Sequence, residues 1–316
     1  MKKFFNYDKN LNHVFFINNH IVLLISKLII EKYGIKKENI FILSLRNTST
    51  SLINGKSINI KRNLILEKIL KKFFLIDLFG LSIKKNLEKL NNKFVLYTPW
   101  DIDEVMPILK SKFCLGHCYL EEGQMSFNIS YEYEYCKTYR EERLRLKEKR
   151  ISNSQKVGDL TVFKKYFNDS STKYFAISED AFPFINKRKK VIFKNFESIK
   201  KTYKPALIGI KNLGIFCSPR RFEKKRLEEV LLRLCNYLPH NSCLKLHPEM
   251  YMDNFYLKNI SLLLNKIDRS DILICESNII IEAEMLFEKK NLFGPLTSLI
   301  NYAEMLGSTF KKVNIY

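Results

Sequence analysis

Three polar clusters stand where apolar runs of the chain end, and their side chains are of the kinds that move protons or hold phosphate. Glu121-Glu122-Gly123 follows the run Phe113–Tyr119. Lys245-Leu246-His247-Pro248-Glu249 closes a run beginning near Ser242, and Cys275-Glu276-Ser277-Asn278 closes Asp271–Cys275. Carboxylates and an imidazole are the side chains of general acid–base chemistry. A Ser at the start of a helix expected from about Asn278 would meet unpaired N–H groups, which suit a phosphate. The loop Ser218-Pro219-Arg220-Arg221 follows another apolar run, and its arginines suit a phosphate or a carboxylate. Asn18-Asn19-His20 interrupts a further strand-to-helix junction. Each cluster alone also has a plainer reading as a solvated turn, a helix cap or a surface charge. The three clusters named first, one in the first half and two in the second, together form a more specific pattern.

The elements that must position these clusters alternate between strand and helix, which argues for an α/β architecture with parallel sheets. In the first half, strands are expected at His13–Asn18, Asn39–Leu45, Lys93–Thr98 and Lys112–Tyr119, with helices through Lys32 and over Asp101–Leu109. A basic amphipathic helix is expected near Asn63–Phe79, with apolar residues at 65, 66, 69, 70, 73 and 74. Such a helix packs on its sheet or lies on a membrane surface. Lys137–Arg150 reads as a charged, exposed helix, and Tyr174–Ser178 as a strand. The basic run from Asn186 to about Lys204 is the expected linker between a domain over residues 1–185 and another over 205–316. In the second half, strands are expected at Leu213–Ser218, Ser242–His247 and Asp271–Cys275. The helices there are Phe222–Tyr237, Asp253–Ile267, Asn278–Glu288 and Thr297–Leu306, the last placed to pack back across the domain junction. Two Rossmann-like halves around a cleft form the GT-B arrangement, and ligands in such sheets sit beyond the carboxyl ends of the strands.

Composition narrows the classes of function. An apolar share of 46% with 24 Phe excludes a disordered chain. The net charge of +21 is spread along the chain among many Asn and Ile residues, and no nucleic-acid-binding fingerprint accompanies it. The Lys-rich bias of an AT-rich genome accounts for about half of that charge, and attraction to an anionic substrate or membrane surface fits the rest better than nucleic acid does. Seven cysteines, mostly inside apolar runs, read as reduced, buried thiols. Neither the opening residues nor the interrupted run Val14–Ile30 reads as a signal peptide or a membrane span, so a cytoplasmic protein is expected. Cys114, His117 and Cys118 have the look of metal ligands. Alternation along one strand, however, sends 114 and 118 to one face and 117 to the other.

The acidic-acidic-Gly triplet, the His-Pro after a strand and the Ser-bearing strand-to-helix turn resemble the bacterial sialyltransferases and polysialyltransferases of GT-B fold. The similarity runs through Tyr-Leu-Glu-Glu-Gly, Leu-Lys-Leu-His-Pro-Glu and Asp-Ile-Leu-Ile-Cys-Glu-Ser-Asn, and departs where Asn278 stands in place of a second hydroxyl residue. The resemblance implies inverting transfer of sialic acid, or a related nonulosonic acid, from its CMP donor to a sugar hydroxyl of a surface glycan such as lipooligosaccharide or capsule. It implies Glu121 as the base, with Glu122 the alternative, and His247 as the acid on the departing phosphate. The donor-side residues would be Gly123, Lys245, Pro248, Ser218, Arg220, Glu276, Ser277 and Asn278, with Glu282 a further candidate for the ribose. Asn18, Asn19 and His20 would serve the acceptor. No metal and no cofactor beyond the nucleotide-sugar donor is implied, and peripheral contact with the inner membrane would fit a membrane-presented acceptor. Two rival readings stay open: another GT-B transferase, of Kdo-type or polyol-phosphate chemistry, and a non-catalytic basic protein binding nucleic acid or anionic lipid.

Overall fold

The computed structural model describes residues 11–44, 48–58, 78–99, 105–123, 126–127, 173–183, 185–216, 218–219, 222–295 and 297–314. The chain divides into two compact units. The first holds residues 1–17, 21–45 and 53–194; the second holds 18–20, 46–52 and 195–316.

The first unit is built on a parallel sheet of β1 (Asn12–Ile17), β2 (Ile40–Ser44), β3 (Lys56–Ser57), β4 (Phe94–Thr98), β5 (Cys114–Leu120), β6 (Tyr174–Ala176) and β7 (Lys190–Ile192). Its order is β3-β2-β1-β4-β5-β6-β7, the reversal after β1 being that of a Rossmann sheet. All six residues of β1 are buried, as expected of a parallel strand covered on both faces. Helix α1 (His20–Tyr33) is buried continuously from Ile21 to Ile29, so its apolar residues surround it rather than forming one stripe. Its two polar residues there are satisfied locally: Ser26 Oγ donates to the Val22 carbonyl at 2.7 Å, and Lys27 pairs with Glu31 at 2.6 Å. Helices α2 (Leu78–Lys89) and α3 (Val105–Leu109) share a core with Val14, Phe16, Phe41, Leu43, Phe94 and Leu96. On the other face Phe15 stacks on Tyr97 at 4.4 Å, and Tyr33 of α1 meets Phe175 edge-on at 6.1 Å.

One irregularity in β5 corrects an expectation about its cysteines. Phe94 pairs with Cys114 and Val95 with Gly116, leaving Leu115 as the extra residue of a bulge. Alternation therefore breaks at Leu115. Cys114 packs with the core of Phe94 and Leu96, His117 pairs with Leu96, and Cys118 pairs with Tyr97, whose ring belongs to the opposite face. Cys114 and Cys118 do not share a face, because the bulge inverts the parity between them. Burial raises both thiols to about 12, so they are inert as nucleophiles at neutral pH.

The second unit repeats the plan with β8 (Asn212–Ile215), β9 (Cys243–Lys245), β10 (Leu273–Ile274), β11 (Asn291–Gly294) and β12 (Thr309–Lys312), all parallel in the order β10-β9-β8-β11-β12. Helix α4 (Glu197–Thr202) precedes this sheet. Helix α5 (Leu227–Cys235) buries Leu227, Val230, Leu231, Leu234 and Cys235, the i, i+3, i+4, i+7, i+8 spacing of a single apolar face. After the short helix α6 (Pro248–Tyr251) comes α7 (Asn254–Lys266), which is capped by Asp253 and buries Tyr256, Ile260 and Leu264 one turn apart. The single turn α8 (Ile281–Glu284) and helix α9 (Leu299–Met305) complete the unit, with α9 packed against β12 and α8.

Several expected elements differ from those observed. The segment read as a linker contains β7, whose Val191 pairs with Phe175, and the unit boundary falls after Lys194. The helix expected over Asn278–Glu288 is α8 alone, because residues 275–280 form a turn held from below by a lysine. The second unit's sheet gains β11 and β12, which carry too little alternation to be read from sequence. Cys243 and Cys275 are disulfide-bonded with Cα atoms 6.0 Å apart, so these two depart from the reading of seven reduced thiols. The parallel register of β9 and β10 brings them within bridging reach. Among the described residues no helix is long and apolar enough to cross a membrane. The expected helix near Asn63–Phe79 lies outside the described residues except for its last two, and the one at Lys137–Arg150 lies wholly outside them.

Candidate functional site

In the first unit the glutamate pair sits where β5 gives out. The ladder between β5 and β6 runs one residue past the strand, the Glu121 amide donating to the Phe175 carbonyl at 2.9 Å. The Glu121 side chain is fully buried, and its Oε2 accepts from the Ile177 amide at 2.8 Å and the Ser178 amide at 3.1 Å. Two backbone donors on one carboxylate oxygen are charge-assisted bonds, and they tie the end of β5 to the end of β6. Glu122 is half-buried, and its amide donates to Ser126 Oγ at 3.0 Å. Gly123 has φ 119°, a conformation that side-chain-bearing residues rarely adopt, and its carbonyl accepts from the Ser126 amide at 2.8 Å. The Phe182 amide closes the arrangement on the Ser126 carbonyl at 2.7 Å. The triplet is thus a tight turn braced against residues 177–182. Sequence reasoning found the turn but had no signal for Ser126 as its brace.

Asn18, Asn19 and His20 occupy the junction from β1 into α1, at the carboxyl end of the strand next to the point where the strand order reverses. Asn18 is buried, and burial lowers the His20 imidazole to about 4, so the ring is neutral at physiological pH.

In the second unit the Lys-Leu-His-Pro motif forms the exit from β9. His247 is the N-cap of α6, Pro248 fills the first helical position, and His247 Nδ1 accepts from the Glu249 amide at 3.3 Å. With Nδ1 as acceptor, the proton of the neutral ring belongs on Nε2, leaving that nitrogen as the donor. The Glu249 carboxylate lies 3.9 Å from Nδ1 and accepts from Ser218 Oγ at 3.5 Å, so Ser218 reaches the histidine's surroundings through Glu249. Arg220, and Arg221 beside it, lie outside the described residues.

Lys245 and the turn after β10 form one assembly. The Lys245 ammonium donates to the carbonyls of Glu276 at 2.8 Å, Ser277 at 3.0 Å and Ile279 at 2.8 Å. Burial lowers it to about 8, opposed by the nearby Glu282 carboxylate. Glu282, buried in α8, is in turn pushed upward by burial, which the Lys245 charge opposes. Glu276, Ser277 and Asn278 are exposed on the outside of the turn. Tyr251, which the sequence did not single out, bridges the two motifs. Its hydroxyl donates to the Cys275 carbonyl at 2.7 Å and accepts from the Leu246 amide at 3.2 Å. Among the described residues no group of three His, Cys, Asp or Glu is placed to hold a metal ion.

No family model matches the sequence, and no curated protein matches it. Solved structures do match. UDP-GlcNAc 2-epimerase from Neisseria meningitidis bound to UDP-GlcNAc aligns over 96% of this chain and 82% of its own, at TM-score 0.53 and 10% identity. The S. aureus MnaA–UDP co-structure aligns over 96% and 80%, at TM-score 0.52 and 11% identity. These likenesses, with two Rossmann-ordered parallel sheets, decide the architecture. The fold is GT-B. In a GT-B chain each Rossmann sheet offers its carboxyl edge to ligands. The Glu121-Glu122-Gly123 turn, the His-Pro turn and the Glu276–Asn278 turn all lie at such edges.

Proposed function

We propose that this chain is a nucleotide-sugar enzyme that binds the nucleotide in its second unit and transfers the sugar to a hydroxyl acceptor. The observation that carries the reading is the Lys245–His247–Ser277 assembly. Two adjacent parallel strands end in turns that place an imidazole donor and an exposed hydroxyl at one sheet edge, braced by Tyr251. The His247 Nε2–H is the donor for a departing phosphate oxygen, and a carboxylate of the Glu121-Glu122 turn takes the acceptor's proton. Of the two, Glu122 fits the base better. Glu121 is fully buried and committed to two backbone amides, a positioning role, whereas Glu122 is half-buried on the same turn. For the ribose, Glu276, exposed on the turn beside Ser277, and the buried Glu282 are the two candidates.

The motif set favours a CMP-linked nonulosonic acid as donor, moved to a surface-glycan hydroxyl. A second reading, a UDP-sugar enzyme, is favoured by the two GT-B structures bound to UDP-GlcNAc and UDP. A thermal-shift panel of CMP, CDP, UDP and GDP separates them. Selective stabilisation by the cytidine nucleotides supports the first reading, and selective stabilisation by UDP supports the second. Stabilisation by none, with salt-sensitive binding to nucleic acid or anionic vesicles, would replace both with the non-catalytic reading. Transfer that stops in excess chelator would point away from the His247 mechanism.

A further inference from the structure

We propose that Lys245 is a positioning residue: it shapes the 276–279 turn so that its outer face accepts the phosphates of the nucleotide, and it does not itself touch them. An ammonium group has three N–H donors, and here three carbonyls, of Glu276, Ser277 and Ile279, receive them at 2.8, 3.0 and 2.8 Å. The residue is 8% exposed and its three N–H donors are all taken, so it has no donor left for a ligand. This separates Lys245 from the donor-contacting role that its place in the motif implies.

The carbonyls fix the direction of the amides. In a trans peptide the C=O and the following N–H point to opposite sides of the chain. Turning the Glu276 and Ser277 carbonyls inward to Lys245 therefore turns the Ser277 and Asn278 amides outward, on residues that are exposed. The next inward carbonyl, of Ile279, sends the Ile280 amide to the Tyr203 hydroxyl at 3.2 Å, so that one is already taken. Successive outward amides form a concavity for an anionic oxygen, and the Ser277 hydroxyl stands beside them. Tyr251 holds the start of the same turn through the Cys275 carbonyl, and its ring lies 5.2 Å from the Lys245 ammonium. Without the cation, the Ser277 and Ile279 carbonyls would lose their buried donor and Glu276 would keep only the Ile279 amide at 3.3 Å, so the turn would reverse some of its peptides to reach water.

The inference rests on the nucleotide reading above, and two measurements on the full chain keep the two apart. The first is hydrogen exchange without nucleotide in Lys245→Met, with Tyr251→Phe as a milder variant that keeps the cation. Exchange of the Ile279 and Ile280 amides, bonded to the Glu276 carbonyl and the Tyr203 hydroxyl, is expected to quicken about tenfold or more in Lys245→Met while α5 and α7 keep their protection. Unchanged protection of the turn overturns the proposal and leaves the nucleotide reading intact. The second is calorimetric titration with uridine, UDP, cytidine, CMP and CDP. The nucleotide that binds the wild type is expected to lose about tenfold or more in Lys245→Met, while its nucleoside binds as before. Equal loss for nucleoside and nucleotide assigns Lys245 a general structural role and overturns the proposal. A wild type that binds none of the five, with a turn that still opens in the variant, defeats the nucleotide reading and with it the phosphate role given to Lys245. If Lys245→Met does not fold, Tyr251→Phe carries the test: partial opening of the turn with a smaller loss of nucleotide affinity supports the proposal, and neither effect overturns it.

Discussion

Adjacent glutamates with different jobs make a sharp prediction for a pair of alanine substitutions. Glu121→Ala removes a carboxylate that accepts from Ile177 and Ser178 at 2.8 and 3.1 Å and leaves both amides facing a vacated, fully buried space. Hydrogen bonds to a charged acceptor are worth about 1.5–3 kcal/mol each, so the two together put the loss at about 3–6 kcal/mol. For a chain of 316 residues, with about 1.5 °C per kcal/mol, the melting temperature should fall by about 5–9 °C. Glu122→Ala removes a half-buried side chain and keeps the backbone amide that donates to Ser126 Oγ, so the melting temperature should fall clearly less than in Glu121→Ala. On the proposed mechanism Glu122→Ala should nevertheless lose transfer by about a hundredfold or more. The assay is thermal unfolding of wild type and both variants beside donor turnover with the nucleotide found in the thermal-shift panel. A Glu121→Ala variant as stable as wild type would refute the bracing account. A stable Glu121→Ala that is inactive, alongside an active Glu122→Ala, would restore Glu121 as the base.

Three further outcomes follow from the same geometry. His247→Asn keeps a side chain able to cap α6 and should cost less than about 1 kcal/mol of stability, yet lose the proton donor; activity equal to wild type would remove His247 from the mechanism. Gly123→Ala, at φ 119°, should destabilise by about 1–3 kcal/mol, measured by denaturant unfolding, and an unchanged midpoint would mean the turn relaxes freely. Lys245, lowered to about 8 in the fold against 10.5 when free, binds its proton more weakly folded than unfolded, so stability should rise between pH 8 and 10.5. The gain is at most about 3 kcal/mol and should be missing from Lys245→Met when the two unfolding curves are compared across that window.

How much was legible in the sequence followed from how much each element depends on its own residues. β1, β2, β4 and β5 are continuous apolar runs because parallel strands are covered on both faces, and such runs announce themselves. β3 and β12 carry two and four residues, exposed or nearly so, and owe their pairing to neighbours rather than to any pattern of their own. The polar punctuation after β5, β9 and β10 was visible for the same reason as the strands, since it interrupts them. What no spacing rule reveals is the convergence of three carbonyls on Lys245 or the bridge made by Tyr251. Both depend on how two separate strand ends lie side by side, and the sequence places those ends about thirty residues apart.

The bulge at Leu115 reaches further than the strand it interrupts. Every residue of β5 beyond it takes its side of the sheet from its pairing with β4, as His117 does with Leu96 and Cys118 with Tyr97. Were Leu115 to pair flush with Val95, the rest of β5 would advance by one place. Leu120 would then lie where the Glu121 carboxylate meets Ile177 and Ser178, and Glu121 would stand on the outer turn. The bulge is therefore the reading-frame setting of this edge: it determines which glutamate is buried against residues 177 and 178 and which stands on the outer turn. Deletion of Leu115 would leave that frame intact by removing the surplus, whereas a deletion between Gly116 and Leu120 would shift it.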